Sequence, residues 1–230
     1  MIDGKPAGES PLYDPANPFA NRDPRLYATV LLPGYSVVNG KKYVGYPDSS
    51  SQNGPGVTGY GLNKFYDHDY TGNKSSYGGD YILIRYAEVL LSYLESELES
   101  GNPITQSLLD ETINKVRGRL SVKMTPVTET DPTKLREIIR NERAIELACE
   151  GGIRYWDLIR WKIADKVLNG KFYGMQVTDN PSNYHGKYII NENGNMFIQE
   201  RIFHDWNYLW PIPQSELDVN PNLVQNPGYN

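Results

Sequence analysis

Glu142, Glu146 and Glu150 recur at every fourth position, which on a helix places three carboxylates along one face. Such a row could serve acid/base chemistry, one carboxyl protonating a leaving group while another activates water or attacks. The same spacing sets the row beside Arg143, Arg154 and Arg160, where ion pairs would join adjacent helices, and this structural reading is favoured. Asp157 has the same expected role, orienting an arginine between packed helices. A glycoside hydrolase built on Glu150 and Asp157 would need both carboxylates in one open cleft, roughly 5 to 9.5 Å apart, and is the least favoured reading.

His68, His185 and His204 are isolated, with no His-Glu-X-X-His pair to set two zinc ligands on one helical face. Asp67, Asp69 and Thr71 place oxygen side chains at alternating positions with Gly72 sixth, as at the start of a calcium loop. Position twelve is Gly78 rather than a bidentate Glu, so a polar turn is favoured and no metal or other cofactor is expected.

The loops around that turn offer a better binding surface. Seven tyrosines fall between Tyr35 and Tyr77, interleaved with ten glycines from Gly34 to Gly79. Tyrosine presents a flat apolar face and a hydroxyl at low entropic cost, and neighbouring amides and carboxylates can bond sugar hydroxyls. Tyr60, Asn63, Tyr66, Asp67, Tyr70 and Tyr77 are the candidate ligand contacts. The competing account is that individual tyrosines pin long loops to a helical body.

The elements that must position these groups follow from periodicity. Residues 1–80, rich in Gly, Pro, Asn, Asp, Ser and Tyr, read as a loop-rich cap in which Arg25–Leu32 is a strand or a short helix. A helix from Tyr81 to Glu99 carries Ile84, Ala87, Leu91, Leu94 and Leu98 on one face and stops at Gly101-Asn102-Pro103. Thr105–Arg119 reads as a second helix. A third runs from the cap Asp131-Pro132 to Glu150, broken by Gly151-Gly152, and a fourth from Arg154 to Leu168 carries Trp156, Ile159, Ile163 and Val167. Helices of this length joined by short loops should pack as antiparallel pairs. They form the body, 81–170.

Residues 171–230 hold a β-hairpin over Tyr188–Ile198, turned at Asn193-Gly194, and then the tail from Trp210 to Tyr229. Pro211, Pro213, Pro221 and Pro227 bar that tail from a helix interior or a central strand, while Trp210, Ile212, Leu217, Leu223, Val224 and Tyr229 suggest apolar seats on a folded surface. The fold class is mainly α, one domain with long irregular loops and a docked tail.

At 230 residues one core suffices. A hydrophobic content of 39% and a charged content of 22% fit a globular chain. A net charge of −5 argues against a phosphate-backbone binder, so no nucleic-acid partner is expected. No apolar run is long enough to cross a bilayer, and the first residues lack the apolar core of a secretory signal. Cys149, the lone cysteine, sits in an apolar helical pattern and reads as a small buried hydrophobe.

Several segments together resemble the C-terminal part of the SusD/RagB family of outer-membrane nutrient-binding lipoproteins. They are Asp23-Pro-Arg-Leu26, Arg85-Tyr-Ala-Glu-Val-Leu90, Val116-Arg-Gly-Arg119, Glu142-Arg-Ala-Ile-Glu-Leu147, Glu150-Gly151, Arg154-Tyr-Trp-Asp-Leu-Ile-Arg-Trp161, and Trp210-Pro-Ile-Pro through Asn226-Pro-Gly-Tyr229. The resemblance implies tetratricopeptide-like helical pairs, no catalysis, and a place on the extracellular face of the outer membrane. There the protein would bind glycans, or in some members peptides, and deliver them to a SusC-like TonB-dependent transporter. Glu146, Glu150, Arg154, Asp157, Arg160, Trp161 and Trp210 would then be structural. Family members are about twice this long, so the resemblance also implies an absent N-terminal half bearing the lipid anchor. On that account the alternative function is a structural or transporter-docking module, with the ligand site mainly in the other half.

Overall fold

The computed structural model describes residues 1–38, 40–43, 58–67, 79, 82–177 and 189–229. Its described residues divide into two units, Met1–Arg154 and Tyr155–Asn230.

In the first unit, helix α1 (Pro24–Thr29) starts where the Asp23 carboxylate accepts from Arg25 N and Pro24 occupies the first turn. It runs straight into strand β1 (Val30–Leu31). A hairpin of β2 (Val37–Val38) and β3 (Lys41–Lys42) turns through Gly40 at φ +75°, a left-handed angle that suits glycine, and β4 (Gly61–Leu62) pairs antiparallel with β1. Leu31, Val38 and Tyr43 form a small core beneath these strands.

Helix α2 (Tyr86–Glu99) buries Ala87, Leu90, Leu91, Leu94 and Leu98, the stripe that a 3.6-residue repeat predicts. Its start differs from the expected Tyr81. Arg85 is extended (φ −134°, ψ 160°), and Ile84, expected on the inner face, is 72% exposed. The expected second helix is two, α3 (Gln106–Glu111) and α4 (Ile113–Arg117). They are broken at Thr112, whose buried hydroxyl donates back to Leu108 O, competing with the helical ladder.

Helix α5 (Pro132–Glu146) begins as expected, with Asp131 accepting from Lys134 N, but ends one turn early. Cys149 (φ +64°), Gly151 and Gly152 all take left-handed angles there. Cys149 is therefore exposed in a turn rather than buried in a helix. Leu91, Leu94, Leu98, Leu109, Ile113, Leu135 and Ile139 meet in one core shared by α2, α3, α4 and α5.

Helix α6 (Ile153–Arg160) leads into the second unit, which also holds α7 (Ala164–Leu168). Lys162 at φ +55° separates the two, so the expected single helix is broken. Leu158 and Ala164 are buried, whereas Trp156 and Val167, expected to face inward, are 52% and 39% exposed. The main β element is larger than the expected hairpin. Strand β5 (Gly170–Gln176) pairs antiparallel with β6 (Asn195–Arg201) across two irregularities, while the expected turn survives as an Ile190–Met196 bridge closed at Gly194.

A 3₁₀ turn (Asp205–Tyr208) precedes the tail, in which a short helix α8 (Gln214–Val219) fits between Pro213 and Pro221, a helix not expected from the prolines. The expected apolar seats are met in part: Ile212, Leu217 and Tyr229 are half-buried, whereas Trp210 and Val224 are 65% and 83% exposed. Polar side chains also tie the tail to itself. Gln225 both accepts from Ile212 N and donates to Ile212 O, Asn226 Nδ2 donates to Trp210 O at 2.6 Å, and Tyr229 OH donates to Leu209 O at 2.9 Å.

Candidate functional site

Helix α5 does present Glu142 and Glu146 on one side, and the turn after it adds Glu150. Each carboxylate is at least 95% buried, so each must be ion-paired or neutral. Their partners come from elsewhere than Arg143, Arg154 and Arg160. Arg25, held rigidly on α1 by Asp23, pairs with Glu142 and reaches Glu146 Oε2 at 3.0 Å. Arg117 Nη1 donates to Glu142 Oε2 at 2.7 Å and Arg119 Nη2 to Glu146 Oε2 at 2.8 Å. Arg85 forks between Glu146 Oε1 and Glu150 Oε2, both at 2.7 Å. Lys64 pairs with Glu150 and also donates to the Glu146 and Ala148 carbonyls, satisfying the end of α5. Arg143 instead faces Glu95 and Ser92, and Asp157 accepts from Arg160 within α6.

Such an arrangement is poor equipment for general acid catalysis, which needs a carboxyl whose pKa is raised. Burial opposes ionisation of Glu146, but donation from Arg119, Arg25 and Arg85 outweighs it and holds the carboxyl below the usual range. Asp23 behaves alike, burial being outweighed by the bonds from Arg25. Depressed folded-state pKa values contribute stability above the unfolded values and lose it as pH falls through the folded ones. We expect denaturation midpoints to hold from pH 7 down to about 5 and then drop steadily below about 4. Urea titrations at successive pH values check this, and midpoints unchanged at pH 3 would contradict it.

The tyrosine loops are built differently. Tyr27 and Tyr35 stack at 5.3 Å between centroids with 17° between their planes, and Phe19 meets Tyr35 and Tyr60 edge-on at 6.2 and 6.4 Å. Such offset and edge contacts suit the ring quadrupole. Tyr27 OH donates to Phe19 O, and Asn63 Nδ2 donates to Tyr27 O at 2.8 Å, fastening the 58–67 segment to α1. Tyr60 and Asn63 thus help to pin the loop, and burial pushes the Tyr60 hydroxyl up. Tyr35, Phe65 and Tyr66 are 43%, 42% and 39% exposed, and Asp67 is exposed as well. Tyr70, Tyr77, Asp69 and Thr71 lie outside the described residues. Among the described residues, no group of three or more His, Cys, Asp or Glu could hold a metal ion, and no helix is long and apolar enough to cross a membrane.

Phe19, Tyr27 and Phe65 were not anticipated from sequence. Phe19 and Tyr27 lie before the tyrosine-rich stretch, and the turn that exposes Phe65 rests on a φ of +66° that its residue type disfavours. In the second unit Trp156 and Trp210 stack at 6.4 Å with 20° between planes, Tyr155 meets Trp156 edge-on, and the Arg160 guanidinium lies over the Trp161 ring.

Residues 1–229 match the model of the SusD family. A SusD-like carbohydrate binding protein from Bacteroides fragilis NCTC 9343 is 42% identical with a TM-score of 0.85, over 97% of this chain and 46% of that one. A second SusD-like protein from the same organism is 28% identical, TM-score 0.73, over 100% of this chain and 45% of that one. A SusD-like protein from Formosa agariphila is 33% identical over 157 residues, 65% of this chain and 26% of its relative. The chain thus matches about a quarter of the length of such curated relatives and just under half of the solved chains.

Proposed function

Because the chain belongs to the SusD family, we propose that it is a non-catalytic glycan-binding part of an outer-membrane uptake system. It captures oligo- or polysaccharide on the extracellular face and delivers it to a SusC-like TonB-dependent transporter. The observation that carries this reading is the 42% identity, over nearly the whole chain, to a protein described as carbohydrate binding. Local support comes from the exposed Phe65 and Tyr66 on a segment tied to α1, together with the exposed Tyr35 stacked on Tyr27, which offer a sugar aromatic surface on a fixed base. The burial and pairing of the carboxylates argue in the same direction, toward binding without turnover.

Affinity electrophoresis against a polysaccharide panel tests this. Retardation on at least one glycan is expected, and Tyr35→Ala with Tyr66→Ala should weaken it on the order of tenfold, about 1.4 kcal/mol. Migration unretarded on every glycan would remove this chain from ligand capture. The mutual packing of Phe19, Tyr27, Tyr35 and Tyr60 favours a second reading, a scaffold that docks on the transporter. Transporter co-purification that survives the tyrosine substitutions, with no glycan bound, would select it.

A further inference from the structure

Beside Phe65 lies a pocket of about 370 Å³, within the range of roughly 300 to 1,000 Å³ common for small-molecule sites. Its wall holds Arg25, Lys64, Arg85 and Arg119 against one carboxylate, Glu146. Glu142 and Glu150, which neutralise three of those cations, are not part of the wall. The cluster therefore turns its positive side toward the pocket although the whole chain is acidic.

Arg119 is the least satisfied of these cations. Among the described residues its one hydrogen bond, Nη2 to Glu146, uses one of five N–H donors, and its Nε is buried without a partner. A buried donor left unmet costs free energy and calls for an explanation, of which an absent ligand is one. The side chain is 39% exposed, so the guanidinium remains within reach of solvent. Phe65 supplies the second observation. It lines the same pocket, the residue is 42% exposed, and its φ of +66° is strained for a bulky residue. Strain of this kind concentrates where a side chain is held for a ligand.

We propose that this pocket binds an anionic sugar unit of the glycan, its negative substituent on Arg119 and its ring against Phe65. The substituent is a carboxylate, as in a uronosyl residue, or a sulfate ester, since both offer the oxygen acceptors that a guanidinium fork takes in pairs. The inference rests on the glycan-binding reading above and narrows it to acidic polymers.

The test is affinity electrophoresis of the 230-residue chain in polygalacturonate, dextran sulfate and neutral glycans such as starch and xylan. Retardation is expected in at least one anionic polymer, weakening as salt is raised. Arg119→Gln should reduce it about tenfold, Arg119→Lys less, and Phe65→Ala several-fold. Phe65→Ala removes no ion pair, so it decides the matter if the Arg119 variants fail to fold. Retardation in polygalacturonate identifies the carboxylate and in dextran sulfate the sulfate ester. Binding of neutral glycans only would overturn the inference and leave the glycan-binding function standing, whereas no binding of any glycan would overturn both. Anionic binding indifferent to Arg119→Gln and Phe65→Ala would also overturn it.

Discussion

Replacing Glu146 by alanine should lower stability by roughly 3 to 5 kcal/mol, the range seen when one partner of a buried ion pair is removed. The carboxylate is 3% exposed and accepts from three guanidinium groups, those of Arg25, Arg85 and Arg119. After the substitution Arg25 still has Asp23 and Glu142, and Arg85 still has Glu150. Arg119 keeps no partner among the described residues. Glu146→Gln, which preserves the shape and one strong acceptor, should cost clearly less. Urea unfolding measures both, and an alanine variant within 1 kcal/mol of the parent would show that the cluster is not structural. Replacement of a whole buried ionic network by apolar residues can be neutral, so single truncation is the informative experiment.

Gly228→Ala should loosen the tail at a cost of about 2 to 5 kcal/mol. Overpacking contributes about 1 to 3 of this and the left-handed backbone about 1 to 2. Gly228 has φ +85°, and an added Cβ would lie 2.3 Å from Trp206 Cγ. The indole cannot simply retreat, because it is stacked on His204 at 4.1 Å. Gly101→Ala is the control: its φ is +76°, yet nothing lies within 4 Å of the added carbon, so it carries only the backbone cost. Hydrogen exchange of the amides in 209–229 should quicken in Gly228→Ala and stay unchanged in Gly101→Ala. Equal protection in the two variants would mean that Trp206 adapts without loss.

Periodicity revealed the core because Leu91, Leu94, Leu98, Leu109 and Leu135 meet each other through the same repeat that makes their helices amphipathic. The identity of the charge partners was hidden. Helical spacing proposes neighbours such as Arg143, whereas Glu142 and Glu146 pair with an arginine 117 and 121 residues away. That choice belongs to tertiary packing. The breaks at Thr112 and Lys162 were hidden for a related reason, since each depends on a local backbone angle that neither residue type announces. In the tail the prolines did not exclude regular structure, since α8 fits between Pro213 and Pro221, and the amides of Gln225 and Asn226 add polar ties that their residue types did not announce. Among the loop residues the concentration of tyrosine drew attention to 58–67, which the structure ties to α1. Which rings face outward depended on Phe19 and Tyr27, residues outside it.

The span of the Arg25 ion pairs also bears on the order in which the chain folds. Closing a loop of more than a hundred residues carries a large entropic cost before any contact repays it, whereas α2 to α5 assemble from neighbours. Local helices therefore form first, and the ion cluster fastens afterwards, when Arg25 and Arg85 meet a helix already in place. A bond made after the barrier leaves the folding rate nearly untouched and governs how fast the structure comes apart. The buried charges act less as a foundation for this chain than as its latch.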